Sequence, residues 1–273
     1  MTMFPSACMW PYKIPMTEAL NQVKQTSFHY IDVEPDTLDA PGALQAKTDL
    51  GLKVSCVALD HRMPSGTSLD GKDQAATRKA IDCLIQALKK SQSLGATAGY
   101  VASCASRKHL VRFGEALRVL AEDAAGMGIK LCVEHVPGRA LATAKEGLAF
   151  IEQVNHPNLY LLLDVGHSLL SKEKAWEIVA AAGKRLGYVQ MNDNDGRNDR
   201  HWALLDGRLT YADLQKTLEA LKEAGYEGTL GLELSYDRVG LVSGFSRNRN
   251  LLIRIQEASD HKSLREPEVR RKK

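Results

Sequence analysis

Four oxygen-bearing side chains close four successive apolar runs. Glu134 follows residues 130–133, Asp164 follows 159–163, Gln190 falls inside 188–192 and Glu233 follows 229–232. Runs so short and apolar read as fully buried strands. A carboxylate at such an end is costly to bury unless a cation meets it. Three carboxylates on neighbouring strand ends repel, and each is driven toward its neutral form unless a positive charge sits among them. One divalent metal ion resolves the conflict. Its ligands would be Glu134, Asp164, Glu233 and the Gln190 amide oxygen, with open positions for substrate or water. Hard oxygen donors of this kind favour Mn, Mg or Co over a zinc-only site.

The same spacing sets up acid–base chemistry. Alternation along a strand puts Cys132 with Glu134 on one face, and Gly231 with Glu233 on one face. The two glutamates then come from strands roughly opposite one another across a common mouth. One can take a proton from a carbon next to a carbonyl. The other can return a proton to the opposite face, or to the neighbouring carbon. The metal would polarise the carbonyl and its adjacent hydroxyl and stabilise the enediolate between the two steps. Trp10, near the end of the first strand, and the loop after His61 are placed to close the mouth and exclude water.

Such convergence needs strands that run the same way. Eight apolar, strand-like runs alternate with eight helical patterns along the 273 residues. Alternation implies parallel strands joined by helical crossovers. The count and length favour an α/β fold of the (β/α)8 TIM-barrel type over an open sheet. No glycine-rich phosphate fingerprint follows any strand, which also counts against a nucleotide-binding sheet. Two of the helices carry clear signals. Ile81, Leu84, Ile85 and Leu88 share one face of a helix over 72–94 that Gly95 ends. Thr143 and Glu146 form a capping box for a helix through Val154. Later helices are expected over 171–182 and 244–255. Residues 1–260 form one barrel domain in this reading, and 261–273 a basic, disordered tail.

Composition narrows the function classes. The net charge is +3, and the last twelve residues carry about +4 of it, so the body is near neutral. That leaves no electrostatic footprint for nucleic acid, and no nucleic-acid partner is expected. No apolar run is long enough to span a membrane, and no signal-peptide pattern opens the chain. Five cysteines without paired spacing read as reduced thiols in a cytoplasmic protein.

The segments LCVEH, LLDVGH, YVQMND and LGLELS, in that order, resemble the xylose isomerase-like TIM-barrel superfamily. This group holds sugar phosphate isomerases and epimerases, hydroxypyruvate isomerases, inosose and dehydroshikimate dehydratases, and endonuclease IV. The resemblance is strongest from Lys130 to Ser235. It implies that Glu134, Asp164 and Glu233 are metal ligands and that His167 contacts substrate. Gln190 stands where many members carry His and where hydroxypyruvate isomerase-like members carry Gln. The expected function is a metal-dependent isomerase or epimerase of a small ketose or keto-acid, with Glu134, Glu233 and His167 catalytic. A dehydratase using the same metal and base is the alternative. An endonuclease IV-type nuclease is disfavoured, because the histidine set for three zinc ions is incomplete. Members often pair through their barrels, so a homo-oligomer is possible.

Other residues have two readings each. His61, Arg62, Trp10 and His201 are candidates for substrate binding. Arg62 suits a bidentate grip on a carboxylate, or is a surface arginine. His167 could instead cap the next helix. Asp199-x-His201 looks like the endonuclease IV zinc pair, but a loop pair contacting substrate or the next strand is preferred. His135 should face away from Glu134, as a core histidine. Glu34 contacts substrate or is solvated, and Arg247 and Arg249 are weak phosphate candidates without a glycine-rich turn.

Overall fold

Eight parallel strands close into a barrel in chain order, the first pairing with the last. They are β1 (Pro5–Cys8), β2 (Tyr30–Val33), β3 (Lys53–Ala58), β4 (Ala98–Ala102), β5 (Lys130–Glu134), β6 (Leu159–Asp164), β7 (Leu186–Met191) and β8 (Leu230–Leu232). This computed structural model describes residues 3–235 and 240–263. Helices α1 (Met16–Gln25), α2 (Ala43–Asp49), α3 (Gln74–Ser93), α4 (Leu110–Gly126), α5 (Ala144–Val154), α6 (Val165–Leu170), α7 (Ala175–Ala182), α8 (Tyr211–Glu223) and α9 (Leu241–Ser263) ring it. The (β/α)8 architecture is the one expected from the alternation of patterns.

Two cores follow from the period of each element. The outer faces of the strands pack on the helices through residues such as Leu20, Leu84, Leu117, Ile151 and Leu218. The inner faces form a separate cluster of Cys56, Ala58, Ala98, Tyr100, Cys132, Leu162 and Tyr188. Asp32 lies in this interior, 1% exposed, and accepts hydrogen bonds from Ser6 Oγ and Tyr188 Oη. Its side chain reaches toward Gly231, where an added Cβ would collide with it. Burial without a cationic partner pushes its carboxyl up, although the donors from Ser55, Tyr188 and Ser6 oppose the shift.

Local details depart from expectation at three places. The helix expected over 171–182 begins only at Ala175, and a further short helix, α6, precedes it. Asp164 caps α6 at once, and the chain then breaks at Lys172, whose φ is 58°. The last helix starts earlier and ends later than 244–255, because α9 runs to Ser263. It thereby passes the expected boundary at 260. The remainder of the expected basic tail, 264–273, lies outside the described residues. Strand β1 stops at Cys8, so Trp10 sits two residues beyond it. The capping box of α5 is present as read: Thr143 accepts from the Glu146 backbone and Glu146 returns the bond.

Candidate active site

Register puts the four candidate ligands at one end of the barrel. Glu134 on β5 lies beside Leu162, Asp164 on β6 beside Gln190, and Gln190 on β7 beside Gly231, two residues before Glu233. All are inward positions by the period-two rule. Glu134 and Glu233 are 8% and 7% exposed, and Asp164 and Gln190 are fully buried.

Asp164 is the most constrained of them. One oxygen accepts the backbone N–H of His167 at 2.6 Å, capping α6. The other accepts from Asn192 Nδ2 at 2.7 Å. Asn192 can reach it only because residue 166 is glycine, since a Cβ there would strike the Asn192 side-chain oxygen. Alternation makes Asn192 an inward neighbour of Gln190, so this partner was available from the period of β7 and was missed.

A chain of hydrogen bonds and ion-pair contacts crosses the mouth. His167 donates from Nδ1 to the His135 carbonyl at 2.9 Å and from Nε2 to Asp199 Oδ2 at 3.0 Å. Asp199 Oδ1 lies 2.9 Å from His201 Nε2, and His201 Nδ1 lies 3.2 Å from Glu233 Oε1. Trp10 Nε1 donates to the same Glu233 oxygen at 2.9 Å. At the other end, His167 Nδ1 is 3.4 Å from Glu134 Oε1. Every nitrogen of His167 and His201 lies near an oxygen that can accept, an arrangement that favours the doubly protonated ring.

The charges agree with that geometry. Burial disfavours the His167 cation, but Asp164, then Asp199 and Glu134, push it up to about 10. His201 is likewise raised against burial by Glu233 and Asp199. Burial also opposes ionisation of Glu233, yet His201 and the Trp10 hydrogen bond hold its carboxyl below the ordinary range. Glu134 goes the other way. Burial, with the charges of Glu233, Asp164 and Asp60, pushes it up to about 8 despite His167. Burial pushes Asp164 up too.

These residues fit a divalent cation. Three buried carboxylates lie at one end of the barrel and burial pushes two of them, Glu134 and Asp164, toward neutrality, a setting that a divalent cation would relieve. The Tyr100 phenol comes near enough to Gln190 to feel its amide. Yet neither buried atom of that amide makes a hydrogen bond of normal geometry. A buried amide without partners is a ready oxygen ligand. Among the described residues, Glu134, Asp164 and His167 offer ligand atoms within 4.8 Å of one another, as do His167, Asp199 and His201.

A family model described as the xylose isomerase-like TIM barrel matches residues 20–257. The chain belongs to that family. L-ribulose 3-epimerase of Methylomonas sp. (strain DH-1) is 32% identical over 196 residues, taking in 70% of this chain and 64% of that protein. L-ribulose 3-epimerase of Mesorhizobium japonicum is 27% identical over 219 residues, 76% of this chain and 69% of that protein. The chain thus aligns with about two thirds of the length of each. A solved structure of L-ribulose 3-epimerase superposes with a TM-score of 0.81 at 20% identity over 100% of both chains. That likeness speaks to the fold.

Against this family background, the remaining sequence candidates sort by place. Trp10 and His201 touch Glu233, whereas the two candidates after β3, His61 and Arg62, contact acids on the rim. His61 Nδ1 lies 3.2 Å from Glu34 Oε1, and Arg62 pairs with Glu34 at 2.7 Å and with Asp36 at 3.4 Å. The His61 ring packs edge-on to Trp10, 5.6 Å between centroids. Arg247 is paired with Asp206 at 2.6 Å, and Arg249 donates to the Ser27 carbonyl at 3.0 Å. His135 is fully buried, and burial holds its ring down at about 3. Asp60, not singled out from sequence, accepts from the Ala102 N–H at 3.0 Å and adds its field to Glu134.

Proposed function

We propose that this protein is a divalent-metal-dependent ketose epimerase or isomerase. The observation that carries the reading is the pair Glu134 and Glu233, buried and inward-facing at one end of the barrel on β5 and just past β8, beside one cluster of oxygen donors. Similarity to L-ribulose 3-epimerases supports a ketose as the substrate class. Glu134, Asp164, Gln190 and Glu233 would hold the cation. Once bound, it supplies Lewis-acid polarisation of a carbonyl and its neighbouring hydroxyl.

The residues of the chain do the rest. Glu233, held ionised by His201 and Trp10, is set to accept a proton from the carbon beside the carbonyl. Glu134 faces the site from β5 and is set to return one from the other side. His167 and His201 keep positive charge beside the oxygens on which negative charge develops. Trp10 and His61 shield the mouth from bulk water. The five unpaired cysteines suit a reducing, cytoplasmic setting.

The test is direct. Metal-loaded protein is incubated in D2O with L-ribulose, D-psicose and other ketoses, and products are followed by NMR. Deuterium at the carbon next to the carbonyl, together with the epimeric sugar, is the expected result. No exchange with any ketose under Mn, Mg or Co would overturn the reading. A new ultraviolet-absorbing enone would transfer the site to the dehydratase class.

A further inference from the structure

Asp199 lies in the loop between β7 and α8, and its side chain is 42% exposed. Packing does not account for its position, yet both of its oxygens are committed. Oδ2 accepts from His167 Nε2 at 3.0 Å, and Oδ1 forms an ion-pair contact with His201 Nε2 at 2.9 Å. The two rings sit 6.1 Å apart at 66°. With His167 Nδ1 also bonded to the His135 carbonyl at 2.9 Å, the rings lie with Nδ1 3.4 Å from Glu134 in His167 and 3.2 Å from Glu233 in His201.

We propose that Asp199 is a positioning residue: one carboxylate orients both imidazoles, and so aligns Glu134 and Glu233 from a single point on the β7–α8 loop. The inference rests on the epimerase reading for its consequence, but not for its geometry.

The loop is built to carry that load. Its base is a two-bond bridge between Asp193 and Trp202, at 2.8 and 2.7 Å. The Asp193 carboxylate accepts from the backbone N–H groups of Asn194, Gly207, Arg208 and Leu209. Asn194 Nδ2 ties it to the Gly166 carbonyl at 2.8 Å, beside Asp164. On the far side, Ser235 donates its N–H to the His201 carbonyl and its hydroxyl to the Arg200 carbonyl. His201 itself is held at φ 49°, a left-handed conformation that a non-glycine residue adopts at a cost. Such strain persists where surrounding bonds over-determine the backbone. The loop therefore presents Asp199 between the ring of His167, which follows β6, and that of His201 in the same β7–α8 loop.

Asparagine can accept from only one of the two rings, because its amide nitrogen is itself a donor. Asp199→Asn should therefore release one imidazole while keeping shape. Three readouts test this. In metal-free protein, NMR should show two downfield imidazole N–H protons, assigned with His167→Gln and His201→Gln. Asp199→Asn should remove at least one of them. With metal and a ketose, the variant should lose about 10–100-fold in kcat, the range for partners that orient a functional imidazole, with KM changed less than about threefold. Metal content should remain one ion per chain. Two outcomes overturn the proposal: both downfield protons surviving the substitution, or a second bound ion in the wild type that the variant loses. The latter would make Asp199 a ligand. Because the NMR arm needs no substrate, it stands even if no ketose is turned over. An unchanged kcat in a protein that epimerises ketoses would also sink it.

Discussion

The Trp10 indole N–H, just past the first strand, donates to Glu233 Oε1, just past the last, across 2.9 Å. The bond fixes which glutamate oxygen is occupied and which stays free. Replacing Trp10 with Phe keeps an aromatic plate against His61 but deletes the donor. A hydrogen bond to a charged group is worth about 1.5–3 kcal/mol. We expect kcat/KM to fall by about one to two orders of magnitude, with an unchanged far-ultraviolet circular dichroism spectrum. Wild-type kcat/KM in that variant would remove Trp10 from the machinery.

Glu134→Gln and Glu233→Gln should each abolish turnover while leaving the barrel folded. Gln is close to isosteric, so packing at these buried positions survives. A variant that keeps measurable epimerisation would lose its assigned acid–base role. The fold is checked by thermal melting.

Removing metal with a chelator should abolish activity and lower the melting temperature, because cation binding stabilises only the folded state. Mn, Mg or Co should restore both at lower concentration than expected for an adventitious ion. Full activity after exhaustive chelation would refute the oxygen-ligand site.

The metal-free protein should betray Glu134 through pH. Its carboxyl is pushed up to about 8 in the folded state, from an ordinary value of 4.5. A raised carboxyl contributes stability that is complete below 4.5 and is lost as pH rises through about 8. Glu134→Gln has no proton to lose. In chelator, the variant should therefore match the wild type near pH 5 and become progressively more stable than it up to about pH 8, then level off. A constant difference across that range would contradict the assigned environment.

The barrel and the inward oxygen cluster were legible because both rest on short-range rules. A buried apolar run that ends in a carboxylate marks a strand end, and alternation says which face Glu134 and Glu233 take. The chain from His167 through Asp199 to His201 was not legible in that way. Its shape depends on the Asp193 carboxylate gathering four backbone N–H groups from up to 16 positions away, and on a left-handed His201. Neither has a periodic signature. Arg62 misled for a similar reason. Its spacing after β3 is right for a substrate grip, but Glu34 and Asp36 from the neighbouring loop reach it. Asp32, inside the second strand, was not singled out from the sequence. Only the closed barrel reveals that it points to the axis.

The pairing of β1 with β8 has a consequence for biogenesis. The seam is reinforced by Gln256 of α9, whose side chain both accepts from the Met3 N–H and donates to the Met3 carbonyl. During synthesis, β1 leaves the ribosome first but finds its second neighbour only after some 220 further residues have emerged. Until then the nascent sheet is an open ribbon with two unprotected rims. Translation speed and holdase chaperones should therefore govern how much of this polypeptide reaches the closed state.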